Sequence, residues 1–366
     1  MVTNAAIAHA RLCNSRLVGP PLAEAQDVVR WFGAIQSQDV PGALWAVRQR
    51  MPSDTTMADI GAAFDDGRIV RTHALRPTWH FLAPDELRWI QALTGDRVHG
   101  VAGSMYRRLG LTEGSFARAE AVMRDALAGG RALTRDELGA AIAGATDIDL
   151  ADSLVVTHLV MHAELVALIC SGPRRGKQFT YQLVDERIAP MPELRRDDAL
   201  RELAVRYFTS HGPALVHDMS WWSGLTVSDV RRGIALAAAA LECRTIDGRD
   251  YWAAAGGFSS PEPPRPFVRL LSNYDEYLGA YTDYSPIFDD SLPKARTVSD
   301  ILGVHIVVRD GLVVGGWRRA LRDGSATVTI TLLIPLTSAE RAALDDEIAT
   351  YERFLGVPVE VRMVAA

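Results

Sequence analysis

The chain has 366 residues, 48% apolar and 23% charged, enough for two to four compact units with cores of their own and too apolar for a long disordered chain. No apolar run is long enough to cross a membrane, and the start Met1 to Arg11 has no basic region followed by an apolar stretch, so a cytoplasmic protein is expected. The formal charge of −6 argues against an overall basic surface; Cys13, Cys170 and Cys243, too scattered for a disulfide framework or a zinc or iron–sulfur ligand set, are expected to be buried small residues.

The first elements read as three helices and a hairpin. Leu22 to Ala34 has the periodicity of an amphipathic helix, and Pro41 to Arg50 and Thr56 to Asp65 supply two more. Two β-like runs follow, Ile69 to His73 and Thr78 to Leu82. Three helices and a hairpin make a winged helix. A helical spacer from Pro84 to about Leu109 leads to a second round. Glu113 to Ala128 is helical, and Thr134-Arg135-Asp136-Glu137 is a capping box, in which the Thr hydroxyl and the Glu carboxylate each take a free backbone N–H. Ser153 to Ile169 continues as a long helix. Gly172 to Lys177 is then a basic turn, with Phe179 to Leu183 as the returning strand.

In a third round, Leu200 to Ser210, Ala214 to Trp222 and Val227 to Leu241 are predicted helices. Cys243 to Ile246 and Tyr251-Trp252 form a hairpin around Asp247-Gly248. The proline-rich stretch Ser259 to Pro266 marks a boundary. Beyond it lie strands Phe267 to Leu271, Val304 to Val308, Leu312 to Trp317 and Ala326 to Leu333, with turns at Asp310-Gly311 and Asp323-Gly324. A helix from Ser338 to Phe354 and a strand from Val357 to Met363 close the chain. The expected fold is α+β and mainly helical. Three tandem winged helices (1–95, 96–190 and 191–260), each offering a helix and a wing to DNA, are expected ahead of a β-rich α+β unit (261–366).

Gln36 and Gln38 sit where the first helix meets the break before Pro41, and in an extended backbone alternation sends both to one side. Amides hold a water and donate hydrogen bonds to it, but do not take up its proton as a base. Taken alone, the pair also suits an ordinary polar helix end. Asp39, by the same alternation, points away. The nine histidines form no His-Glu-x-x-His cluster, and no metal or cofactor is expected.

The segment Gln36-Ser37-Gln38-Asp39-Val40-Pro41-Gly42-Ala43-Leu44-Trp45 resembles the catalytic segment of AlkZ-like DNA glycosylases, whose YcaQ-like branch carries Gln-x-Asp. Further resemblances follow in order: Arg76 to His80, His211-Gly212-Pro213, Trp221 to Leu225, Asn273 to Leu278, Asp310-Gly311 and Val314 to Arg318. The family usually has an aliphatic residue or alanine where this chain has Ser37. The resemblance implies tandem winged helices around a concave DNA-binding face for double-stranded DNA and hydrolytic removal of bulky or cross-linked N7-alkylated purines by a monomer. It further implies a water held by Gln36 and Gln38, and a self-protection role beside an antibiotic pathway. An N7-alkylated purine is already cationic and leaves without an acid, so a positioned water and electrostatic support suffice.

The expected DNA contacts are Arg71, Arg76 and His80 on the first wing, Arg174, Arg175 and Lys177 on the second, and Trp317 with Arg318 after the later hairpin turn, where an aromatic wedges a duplex. His80 and Trp317 equally suit structural positions, and Tyr274 and Asp275 either line the site or turn a loop. Two alternatives remain open: a winged-helix transcriptional regulator without catalysis, and an interaction protein that does not bind nucleic acid.

Overall fold

The computed structural model describes residues 4–259, 265–288 and 305–364. It opens with a helix the sequence reading left out, α1 (Asn4–Asn14), followed by α2 (Ala25–Phe32) and a two-residue strand β1 (Ile35–Gln36). Next come α3 (Val40–Arg48), which Pro41 starts from its first turn, and α4 (Met57–Asp65), opened by a capping box between Thr56 and Asp59. Strands β2 (Val70–Ala74) and β3 (Thr78–Leu82) pair antiparallel, and β1 adds to the free edge of β3.

The spacer is α5 (Leu87–Arg108). The second group runs α6 (Glu113–Leu127), β4 (Leu133–Thr134), α7 (Arg135–Ala145), α8 (Ser153–Leu165), β5 (Ile169–Ser171) and β6 (Thr180–Leu183). The expected box at Thr134 and Glu137 opens α7. Helix α8 stops earlier than its apolar run suggests because Ala167 turns left-handed at φ 53°, letting the Leu168 N–H close back on the Ala163 carbonyl. Ile169 is thereby freed for strand pairing with Leu183.

A short helix α9 (Val184–Arg187) leads to α10 (Arg196–Ser210), α11 (Val216–Ser223), α12 (Val227–Leu236) and the hairpin β7 (Leu241–Ile246) and β8 (Arg249–Ala254). Its turn residues Asp247 and Gly248 both have positive φ, as a two-residue hairpin turn requires. The predicted helix to Leu241 is cut short because Leu241 pairs with Ala254. The last part holds β9 (Val268–Leu271), α13 (Glu276–Gly279), β10 (His305–Arg309), β11 (Leu312–Arg322), β12 (Ser325–Leu332), α14 (Ser338–Leu355) and β13 (Val359–Val364). Its five strands form one sheet in the order β13-β12-β11-β10-β9, antiparallel except for β12 with β13.

Two cores meet at the segment that carries the glutamines. In one, Ile35, Trp45 and Phe64 pack with Trp317, Tyr351 and Phe354 of the C-terminal sheet and its helix; Trp45 stands edge-on to Tyr351 at 4.8 Å and its indole N–H donates to the Leu270 carbonyl. In the other, Ala34, Val70 and Leu82 pack with Leu203, Tyr207 and Trp222 from α10 and α11. Neighbouring residues Ala34 and Ile35 thus belong to different cores, and the chain leaves β1 along the seam between them. No described helix is long and apolar enough to cross a membrane.

Candidate active site

Gln36 is fixed by backbone pairing before its side chain acts. It sits opposite His80 in the β1–β3 ladder, and the Ser37 N–H extends the pairing by donating to the Trp79 carbonyl at 2.8 Å. Residues directly opposite in such a ladder project to the same face, so the Gln36 and His80 side chains share one side. Ser37 is fully buried, whereas Gln38 is exposed and Asp39 begins α3.

Behind Gln36 lies a buried carboxylate that is fully engaged. Glu276, 3% exposed at the start of α13, accepts the Gln36 backbone N–H at 3.0 Å through one oxygen. Its other oxygen accepts the Trp222 indole N–H at 2.9 Å and lies 3.1 Å from His211 Nε2, whose Nδ1 is 2.8 Å from the Ser210 hydroxyl. The side-chain oxygen of Gln36 accepts from Arg76 Nη2 at 3.2 Å. Burial lowers the pKa of Arg76, and the charge of Glu276 opposes that shift.

On the other side, the Asp39 carboxylate receives Arg319 Nη2 from β11. Arg71 lies between the rings of Trp79 and Phe179, 4.4 and 4.6 Å from its guanidinium carbon, and donates through Nε and Nη2 to the Ser37 carbonyl. Burial brings its pKa down to about 10. Arg71 lines a cavity of about 310 Å³ with Trp79, Thr134, Arg135, Lys177 and Phe179. The Ser37 hydroxyl is buried without a hydrogen-bond partner among the described residues, so the polar atom that sets this chain apart from the aliphatic residue usual in the resembled family makes no hydrogen bond to them. Among the described residues no three His, Cys, Asp or Glu side chains converge as metal ligands.

Several expected contacts need correction. Trp317 is 1% exposed and donates its indole N–H to the Leu271 carbonyl, so it is a core residue and not a wedge for DNA. His80 is completely buried, with Nδ1 3.0 Å from the Thr78 carbonyl; burial, then Arg76, drive its pKa to about 3, so it is a neutral interior group without access to phosphate. Arg174 forks onto Asp65 through Nε and Nη2, at 3.1 and 2.9 Å, and ties the second hairpin to α4. Arg175 and Lys177 are exposed and pair with Glu137 and Asp323, and Arg318 is exposed on the sheet. Asp275 is buried and takes both Nη atoms of Arg50, at 2.7 and 2.8 Å, a structural role; Tyr274 beside it is half-buried. Of the cysteines only Cys170 is buried, and Cys243 is exposed.

Sequence reasoning gave no role to Glu276, His211, Trp222 or Arg319. Each of the first three lies in a segment that carried the family resemblance, but Trp222 and His211 stand 54 and 65 residues from Glu276, and no local pattern joins them to it.

The chain matches the model of the AlkZ-like DNA glycosylases over residues 29–354. The chain belongs to the AlkZ-like DNA glycosylase family. This glycosylase is a hydrolase of N-glycosyl bonds, and DNA is its substrate. Its fold is shared with the Streptomyces sahachiroi DNA glycosylase AlkZ, at a TM-score of 0.77, with 22% identity and 99% of each chain covered. Among curated proteins no match was found.

Proposed function

We propose that this glycosylase removes N7-alkylated purines, bulky and cross-linked adducts included, by hydrolysis, with Gln36 and Gln38 holding the attacking water. The observation that carries this reading is the state of the neighbouring acids. Glu276 is committed to the Gln36 N–H, Trp222 and His211, and Asp39 to Arg319. Neither carboxylate is free to accept a proton from water, and the glutamine amides have no basicity for it. Such a site suits a base whose positive charge already makes it a leaving group, and suits a neutral base poorly.

In this reading the three helix-and-hairpin groups act as winged helices (1–95, 96–190 and 191–260) that, with 261–366, form a concave face around the duplex. The exposed cations Arg175, Lys177 and Arg318 contact phosphate. A bulky or cross-linked adduct does not fit an enclosed pocket, so the lesion stays largely within the duplex and the glutamines approach its sugar from a groove.

The test is a duplex with a single N7-methylguanine, incubated with protein and then treated with alkali. Strand cleavage at that position is expected for the wild type. Gln36→Ala and Gln38→Ala are each expected to slow base release by about 10²-fold or more, the usual loss when one positioned hydrogen-bonding group is removed, with folding and DNA affinity kept. Specific binding without base release would instead favour a DNA-binding regulator.

A further inference from the structure

We infer that the two glutamines are not equivalent: Arg76 holds Gln36 as the hydrogen-bond donor to the attacking water, which leaves Gln38 as its acceptor. This rests on the proposed function and assigns a direction to each amide. A guanidinium has five N–H donors and no acceptor, so the amide atom that faces Arg76 Nη2 at 3.2 Å must be oxygen. That oxygen faces Gly279 of α13, where an added methyl would make only ordinary contact with it at 3.9 Å.

Arg76 has little freedom to let go. Its backbone is pinned in a tight turn, with its N–H on the Ala74 carbonyl at 2.6 Å and its carbonyl on the Thr78 N–H at 2.7 Å. Its guanidinium carbon lies 5.2 Å from the Trp221 ring centroid. The backbone of Gln36 is held independently by Glu276. With main chain and side-chain oxygen both fixed, the remaining polar end of Gln36 is its NH₂ group. That nitrogen makes no hydrogen bond to a described residue, and Gln36 keeps 8% of its surface exposed.

A water attacking the anomeric carbon uses one oxygen lone pair for the new bond. The other lone pair accepts from Gln36 Nε2, and one O–H points to the Gln38 carbonyl oxygen. The C1′–N9 bond breaks with its electron pair going to the base, which cancels the positive charge there. The O–C1′ bond forms, and one proton of the added water passes to solvent, since a neutral amide does not keep it. Arg76 touches neither water nor sugar in this scheme; it is a positioning residue.

The experiment measures single-turnover release of N7-methylguanine with enzyme in excess, over pH 5 to 9, together with the Kd for undamaged duplex. Gln38→Glu keeps an acceptor and is expected to retain roughly a tenth or more of the wild-type rate near pH 8, with a rate that falls as the pH drops through the carboxylate range, a limb the wild type lacks. Gln36→Glu has an acceptor where a donor is needed and is expected to match Gln36→Ala at every pH. Arg76→Gln, which no longer fixes the amide, lowers the saturating rate and leaves Kd unchanged, and Arg76→Lys loses less because it still only donates. Equal rates for Gln36→Glu and Gln38→Glu would overturn the assignment, as would an Arg76→Gln variant that weakens Kd at an unchanged saturating rate, the mark of a simple phosphate contact. Should Arg76→Gln fail to fold, the two Glu variants still decide. A wild type that releases no base removes the proposed function itself, a different outcome from loss of the donor and acceptor roles.

Discussion

The hairpins β2–β3 and β5–β6 share a plan of two short strands and a turn with basic residues, and they use their polar side chains in opposite ways. On the first, Arg71, Arg76 and His80 turn inward: Arg71 onto the Ser37 carbonyl, Arg76 onto the Gln36 amide, and His80 into the interior opposite Gln36. On the second, Arg175 and Lys177 turn outward onto Glu137 and Asp323, and Arg174 ties the hairpin to α4 through Asp65. Depth makes the difference. A buried cation keeps its orientation and acts through geometry, whereas an exposed pair is screened and exchanges with other anions.

The sharpest way to break this contrast is to remove what lies behind the first hairpin. Glu276→Ala strips the acceptor from the Gln36 N–H and the Trp222 indole and removes the charge that most offsets the burial of Arg76; a loss of about 3 kcal/mol or more is expected in urea unfolding. A loss below about 1 kcal/mol would mean that water reaches this site easily and that the first hairpin is no more rigid than the second.

Acid should separate the hairpins next. His80 has its folded pKa depressed from 6.5 to about 3, so the unfolded chain binds its proton more readily. Its contribution to stability is complete above 6.5 and is lost as the pH falls towards 3, at about 1.4 kcal/mol per pH unit from this group. His162 and His305, lowered to about 4, add in the same direction. Comparing the pH dependence of unfolding for His80→Gln and the wild type isolates the first hairpin: the variant should fall less steeply between pH 6 and 4, and parallel curves would place His80 in contact with solvent.

The smallest effect is expected on the second hairpin. Lys177→Ala should leave the melting temperature unchanged, because its pair with Asp323 is wholly at the surface. If Lys177 meets a phosphate, the slope of log binding constant against log salt should fall by about one. An unchanged slope would take the second hairpin out of the DNA interface.

Most element types were legible in the sequence because they depend on local chemistry. The box at Thr134, Pro41 at a helix start and the Asp-Gly turns each act within a few residues, and their elements lie where the pattern placed them. Helix ends at Leu165 and Leu236 were not, since strand pairing with Leu183 and Ala254 claims the residues beyond them. The glutamines were found by resemblance. Their surroundings were not, because Glu276 reaches Gln36 across 240 residues and Arg319 reaches Asp39 across 280.

Short-range chemistry in the chain was enough to determine most of the α+β element order, through caps, turns and apolar periodicity that act over a few residues, and a motif resemblance singled out Gln36 and Gln38. Tertiary structure decided which polar groups are available. It buried His80 and Trp317, which a linear reading left open to DNA, paired Asp39 and Arg174 with distant charges, and turned Arg76 onto an amide. Periodicity shows which face of an element a side chain takes, but burial and pairing depend on what the rest of the chain packs against that face.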